Sequence, residues 1–407
     1  MIAVVVVGLT VATSTPLRAA EPFPALAVAI ERAGSQPTAV REASGAARVA
    51  EAQAVGARLS PLGNPYLEVF ADRTAARQDP EAILQSNLWL PVEVSGQRSR
   101  RIAENDRLRE WRAAELTTAG VEGIATMVVR YGSAVVAAER VRFLEAIVEI
   151  SRQESAMYEA RLKGGDVTVR EAKLAAVELS KNRMALGTAR SDLARALAAV
   201  ARLLGGPSVL SPPLHDQPPP ATLWELAARD PGALVSQNPR LVAFARQGAY
   251  FSAQAARQAV DSHAPLNVIL SAGEGADGSA RLGGGLAWTF PLLRRNQGEQ
   301  ARALAERARA LDVAEGLRHE LLAALQGLFD ERVQVRSALD ELREHGEPAA
   351  EAALEAARST EQAGKGDLLH VVTARRDLVS VRASGLELEQ REWSLLAELV
   401  SISGRSP

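Results

Sequence analysis

The chain contains no cysteine, which removes disulfides, thiolate metal sites, cysteine nucleophiles and any N-terminal lipid carried on cysteine. That absence suits an oxidising compartment, although many cytosolic chains lack cysteine too. Aromatic residues are scarce, at 4% of 407 residues against 47% for the hydrophobic set as a whole. The apolar content is therefore Ala, Leu and Val, the residues of thin helix-to-helix seams rather than of a broad globular core. Charge of one sign is missing as well: 47 basic and 49 acidic side chains leave a net charge of -2. Such a chain has no field to attract a phosphate backbone, so nucleic acid is not an expected partner. Both signs are mixed through helical stretches, the pattern of a solvated helix face.

Long hydrophobic runs are also lacking. Ile2 to Ala12 is apolar but too short to span a bilayer as a helix. Followed by Thr13-Ser14-Thr15-Pro16 and Leu17-Arg18-Ala19-Ala20, it reads as a secretory signal over residues 1–20 with a small-residue cleavage region. No Lys or Arg precedes the run, and an ordinary buried segment is the alternative reading. No later stretch reads as a spanning helix, so any membrane insertion is expected to use strands.

What the sequence does contain is a near-copy of itself. Pro65-Tyr66-Leu67-Glu68-Val69 is matched by Pro265-Leu266-Asn267-Val268-Ile269, and Leu88-Trp89-Leu90-Pro91 by Trp288-Thr289-Phe290-Pro291. Further on, Gly165-Asp166-Val167 is matched by Gly366-Asp367-Leu368. Landmarks that keep nearly one spacing, 200 residues for the two proline pairs and 201 for the glycine-aspartate pair, imply a tandem duplication. We read a first structural repeat over 21–206, a proline-rich linker over 207–220, where helix cannot continue, and a second repeat over 221–407.

Each half has the same order of elements. A helical stretch comes first, from about Pro37 to Leu59 and from about Pro239 to His263, each opening on a proline suited to a first turn. Two runs of period two follow. Leu67, Val69 and Ala71 alternate with Glu68, Phe70 and Asp72, and Leu84, Leu88 and Leu90 lie opposite Gln85, Asn87 and Trp89. In the second half Leu266, Val268, Leu270 and Ala272 alternate with Asn267, Ile269, Ser271 and Gly273, and Leu282, Leu286, Trp288 and Phe290 alternate with glycines and Thr289. These are hairpins. Their length, about ten residues each, suits tilted membrane strands, and soluble hairpins packed on helices fit the same alternation.

After each hairpin comes a long helix, from about Gln97 to Lys163 and from about Gln297 to Ala363, with Pro348 as the internal proline. At about 1.5 Å per residue each makes a rod of roughly 100 Å. Val141, Leu144, Val148, Ser151, Ser155, Tyr158 and Leu162 form a seam with polar interruptions. Leu179, Leu186, Leu193 and Val200, with Ala189, Ala196 and Leu203, return along it.

No catalytic grouping emerges. His215, His263, His319, His345 and His370 lack any metal-binding spacing, and Gly283-Gly284-Gly285 lacks the lysine of a phosphate loop. We therefore expect no enzyme activity, cofactor or bound metal.

A helix, a hairpin of membrane-length strands, a very long helix, a glycine turn and a returning helix, all repeated, resembles the TolC-like outer-membrane efflux family. The strings Gly63-Asn64-Pro65, Pro91 to Arg98, Leu203-Leu204-Gly205 and Pro291 to Gly298 look like family landmarks, and Gly96-Gln97-Arg98 and Arg295-Asn296-Gln297-Gly298 are similar to its heavy-metal cation branch. The resemblance implies a mainly α fold with membrane β. Long antiparallel coiled-coil helices would form an α-barrel, and each chain of a homotrimer would give four strands to one twelve-stranded barrel in outer-membrane lipid. It also implies location in the outer membrane and periplasm, a periplasmic adaptor (membrane fusion) protein and an inner-membrane pump of the RND type. The chain itself would be a passive conduit for metal cations, drugs or secreted protein.

Under that resemblance Gly164, Gly165, Asp166, Gly364, Gly366 and Asp367 form the periplasmic tip, where glycines permit reversal and the two aspartates can cap the returning helices. Family members carry carboxylates just beyond; here His370 and Thr373 occupy those places, and three copies of His370 would make a constriction that titrates near neutrality. Trp89, Trp288 and Phe290 are expected to form an interfacial belt, with simple packing as the alternative. Two other functional readings remain: a periplasmic adaptor, which predicts one hairpin and compact β domains, and a soluble coiled-coil scaffold.

Overall fold

The local rules that start and stop helices are used here in matched pairs. Gly96 takes a left-handed backbone (φ 83°) ahead of the first long helix, α3 (Gln97–Gly164), and Asn296 does so (φ 53°) ahead of the second, α8 (Gln297–Glu341). Asparagine is among the few side chains that tolerate that region. Gln97 and Gln297 then act alike, each folding its side-chain oxygen back to accept the N–H two residues upstream, from Ser95 at 3.0 Å and from Arg295 at 2.9 Å.

This computed structural model describes residues 21–74, 81–206, 209–213, 221–275, 278–363 and 368–407. The elements are α1 (Leu26–Ala33), α2 (Thr38–Ala57), β1 (Tyr66–Thr74), β2 (Glu81–Val92), α3 and α4 (Val169–Leu203). The second half has α5 (Thr222–Arg229), α6 (Pro231–Ser236), α7 (Pro239–Asp261), β3 (Leu266–Glu274), β4 (Ala280–Ala287), α8, α9 (Glu347–Gln362) and α10 (Leu368–Ser403). The fold is mainly α with one antiparallel four-stranded sheet in the order β1-β2-β3-β4. The strands β1 and β3 start 200 residues apart, as do α3 and α8.

Three sequence expectations are corrected. The second long helix is not continuous to residue 363: a π turn over Leu342–Gly346 separates α8 from α9, and Pro348 lies in the first turn of α9. Pro348 has no N–H to give the carbonyl four residues before it, and its ring presses on that carbonyl, so the turn widens. β4 stops at Ala287, which leaves Trp288 and Phe290 beyond the strand. One window within α3 is long and apolar enough, by length and composition, to cross a membrane, with 44% of it buried inside the fold; core helices pass the same test. Residues 1–20, read as a signal, and most of the 207–220 linker lie outside the described residues.

The chain packs as two compact units, each drawn from three segments. One comprises Met1–Ala33, Thr126–Pro219 and Val333–Ser394. Its seam joins Val141 and Leu144 of α3 to Leu186, Ala189 and Leu193 of α4, as the heptad spacing predicts. A second cluster joins Tyr158 of α3, Ala172 and Ala175 of α4, and Leu368 and Val372 of α10. Trp393 is the largest fully buried side chain; it lies on Gly132, where an added Cβ would fall 2.2 Å from the indole, and against Tyr131 at 5.8 Å between ring centres.

The other unit comprises Gly34–Ala125, Pro220–Arg332 and Leu395–Pro407 and holds the whole sheet. Fully buried Asn238 ties two of its segments: Oδ1 caps α7 by accepting the Arg240 N–H at 2.9 Å, and Nδ2 donates to the Ser401 and Ile402 carbonyls at the end of α10. Trp224 of α5 meets Phe329 edge to face and lies under the Arg332 guanidinium at 4.4 Å.

Candidate functional site

Register divides the sheet into two unlike faces. Trp89 pairs with Tyr66 and Ile269, Asn87 with Glu68 and Ser271, and Gln85 with Phe70 and Gly273, so these side chains share one face. Leu88 pairs with Leu67 and Leu270, Leu90 with Val268, and Leu270 and Ala272 in turn with Gly284 and Leu282. Among the residues whose side chains are described, that second face is apolar apart from Ser86 and, at the end of β3, Glu274. In a soluble sheet the apolar face would be covered by helices. Here Leu67, Val69, Leu84, Leu270, Leu282 and Leu286 are all more than half exposed.

The mixed face makes its own polar contacts. Trp89 donates its indole N–H to Glu68 at 3.0 Å and stacks on Tyr66 with rings 5.5 Å apart and 7° from parallel. Gln85 donates to the Asn87 side-chain oxygen at 3.2 Å, and Asn87 is buried. Among the described residues β1 and β4 each pair on one side, so the sheet has two open edges.

The three aromatics expected to act together are split by this register. Trp89 stands on the mixed face. Trp288 and Phe290 lie past the end of β4, packed on each other at 4.8 Å and largely exposed beside exposed Leu292 and Leu293.

At the first helix turn, Gly165 (φ 83°) reverses the chain, with N–H bonds from Gly165 to the Leu162 carbonyl (3.1 Å) and from Asp166 to that of Arg161 (3.0 Å). Asp166 does not cap α4. Thr168 does: its hydroxyl accepts the Glu171 N–H while the Glu171 carboxylate accepts the Thr168 N–H at 2.7 Å, a reciprocal capping box. The Asp166 carboxylate instead lies 3.2 Å from where a Cβ on Gly164 would fall. Gly364, Gly366 and Asp367 lie outside the described residues. His370 and Thr373 are exposed on the first turns of α10, three residues apart on one face, and Thr373 returns its hydroxyl to the Leu369 carbonyl at 2.8 Å.

Behind this turn lies a buried polar layer that the sequence marked through Ser151 and Ser155, the interruptions in the apolar seam. Arg375 of α10, 4% exposed, enters there and pairs with Glu154, reaching the Ser151 hydroxyl at 3.2 Å. Asn182 of α4 donates to the same hydroxyl at 2.8 Å. Tyr158 and Arg161 both donate to Glu361 of α9, at 3.0 and 2.5 Å. Burial, then the Glu361 bond, pushes the Tyr158 phenol well above its ordinary range. Burial alone would raise Glu178, but bonds from Arg376 and Lys181 outweigh it and hold that carboxyl below its usual value. Among the described residues no three His, Cys, Asp or Glu side chains gather as a metal-binding group.

Comparison with known proteins follows from this geometry. No protein-family model matches the chain. The cobalt-zinc-cadmium resistance protein CzcC of Cupriavidus metallidurans is 26% identical over 359 residues, covering 86% of this chain and 82% of that protein. The solved outer-membrane channel OprN superposes with a TM-score of 0.75 at 21% identity, over 94% of this chain and 91% of that one. The outer-membrane protein VceC of Vibrio cholerae superposes at 0.73 with 17% identity, over 93% and 96%. CusC, solved in a study of transmembrane channel formation, gives 0.72 at 15%, over 93% and 91%.

Proposed function

We infer that this chain, a TolC-like outer-membrane channel protein, works as the passive duct of a tripartite efflux system. The observation that carries this reading is the sheet, whose apolar face is exposed, whose other face is polar and aromatic, and whose edges are open. Lipid accepts the first face and water the second, but lipid does not tolerate the edges. Three copies joined edge to edge would close a barrel of twelve strands, so a homotrimer is the assembly we propose.

On this reading the chain is two repeats, 21–206 and 221–407. The helices form the periplasmic wall, and the turn at Gly164 to Asp166 belongs to the tip where an adaptor docks. His370 and Thr373, exposed on the first turns of α10, stand where the wall narrows. Trp288 and Phe290 carry the interfacial belt at positions equivalent to Leu88 and Leu90 of the apolar face. Trp89 faces the lumen. Energy and substrate choice belong to an inner-membrane pump of the RND type, and the likeness to CzcC supports divalent metal cations as the exported class. The protein catalyses nothing on this reading.

Fractionation of cells making the full chain tests this most simply. We expect recovery in the outer membrane, extraction by detergent as a trimer, and ion conduction in a planar bilayer. Recovery as a soluble monomer without detergent would count against the duct.

A further inference from the structure

Helices α2, α3 and α7 leave a cavity of about 430 Å³ between them. Small-molecule sites run from about 300 to 1,000 Å³, so there is room for a ligand. The charged groups around this cavity are already paired. Arg257 of α7 donates to Glu104 of α3 at 2.8 Å and to Asp261 at 2.9 Å, and Arg101 pairs with Glu93. A charged ligand would meet no free counter-charge there.

The uncharged polar groups are a different matter. Asn105 lines the cavity and is 7% exposed, and its carboxamide bonds no other group among the described residues. A buried polar group left unpaired is destabilising, so this one calls for a partner. Gln53, on the exposed mouth, is likewise without a partner among the described residues. Tyr250 accepts the Gln254 side-chain N–H at 3.3 Å, while its own O–H finds no acceptor among the described residues. Burial, then the Glu104 charge, raises the Tyr250 phenol, so that proton stays on the oxygen. The apolar part of the wall is Ala57, Leu108 and the Tyr250 ring, which packs on Trp111 and Phe251 at 5.4 and 5.2 Å between ring centres.

A carboxamide sets an acceptor beside two donors, the arrangement that two neighbouring hydroxyls complement. A sugar ring carries hydroxyls around its edge and C–H groups on its faces. Its edge can meet Asn105, Gln53 and the Tyr250 hydroxyl while a face lies on Leu108 and the Tyr250 ring. We propose that this cavity is a binding site for an uncharged sugar ring, with Asn105 as its buried anchor. The site goes beyond the duct reading and does not depend on it.

Ligand-detected NMR on the full chain, purified in a detergent without a sugar headgroup, tests this directly. Glucose, N-acetylglucosamine and a short N-acetylglucosamine oligomer are titrated in turn, and at least one should bind saturably. Preference for the N-acetylated pair would support the site and point to an envelope glycan as its source; preference for glucose would support it and point to a free sugar. Asn105→Leu keeps the size of the side chain and should weaken binding about tenfold or more, while the thermal midpoint holds or rises because an unpaired polar group is gone. A Cβ added at Gly56 meets nothing within 4 Å, so Gly56→Leu should fold, stand in the mouth of the cavity and abolish binding. No saturable binding of any of the three sugars would overturn the site, as would an affinity that Gly56→Leu leaves unchanged. Unchanged affinity in folded Asn105→Leu would overturn the anchor. If Asn105→Leu does not fold, Gly56→Leu decides. A natural chain that binds sugar but never conducts would strike the duct reading and leave the site standing.

Discussion

The two halves of the chain place their strands and long helices in the same frame and then treat equivalent positions differently. Past the glycine turns the repeat is offset by 201, and position 175 is a buried alanine in the cluster around Tyr158, whereas its equivalent, 376, is an arginine bonded to Glu178. Position 178 is a buried glutamate gripped by Arg376 and Lys181, and its equivalent, 379, is a valine. β2 runs on to Val92, while β4 stops at Ala287 and frees its aromatics. The lesson is that a few repeated residues, such as Pro65 and Pro265 or Gln97 and Gln297, set the backbone. Single side chains then specialise each half.

That comparison can be broken in graded steps. The largest effect should come from Trp393→Ala, which empties the best-buried site against Gly132 and Tyr131 and should cost about 3–5 kcal/mol in chemical denaturation. Leu193 of the α3 to α4 seam, smaller and less buried, should cost less on truncation. Next, Arg375→Ala strands the Glu154 carboxylate and should cost about 3 kcal/mol; Arg375→Met, which keeps the bulk, should recover little if the charge is what matters. Thr168→Ala removes one arm of the capping box and should cost about 1 kcal/mol, read as a lowered denaturation midpoint.

The smallest effect is a pH dependence. Because Glu178 is held below its ordinary value of 4.5, its contribution is complete above that pH and is lost as pH falls through the lowered value. Glu178→Gln should flatten that part of the stability profile. A profile unchanged by the substitution would mean that the Arg376 and Lys181 contacts do not govern this carboxyl.

Much of the architecture was legible because it rests on local rules. Period-two alternation gave the faces of β1, β2 and β3, and it had already put Trp89 opposite the leucines. Heptad spacing gave the α3 to α4 seam, and the serines at 151 and 155 flagged where polar groups would meet. Thr168-Val169-Arg170-Glu171 is a capping-box string, and reading it as such would have moved the cap from Asp166. Other features depend on partners distant in sequence. Nothing local to Arg375 says that Glu154 waits for it, and nothing at Gly132 announces Trp393. The stop of β4 before Trp288 is a third case: the alternation continues past Ala287, but the pairing with β3 does not. The π turn lies between, since Pro348 was visible while its consequence depended on whether the helix kinked, ended or widened.

The central claim is that the leucine face of the sheet meets lipid and the mixed face meets water. Leu270 and Ser271 are neighbours on β3 that point to opposite faces, so an arginine placed at each in turn asks the question directly. Leu270→Arg should cost about 2–4 kcal/mol of barrel stability in a bilayer and reduce the assembled protein recovered from the outer membrane. Ser271→Arg should assemble normally and change only conduction. Equal assembly of the two variants, or failure of Ser271→Arg alone, would contradict the account.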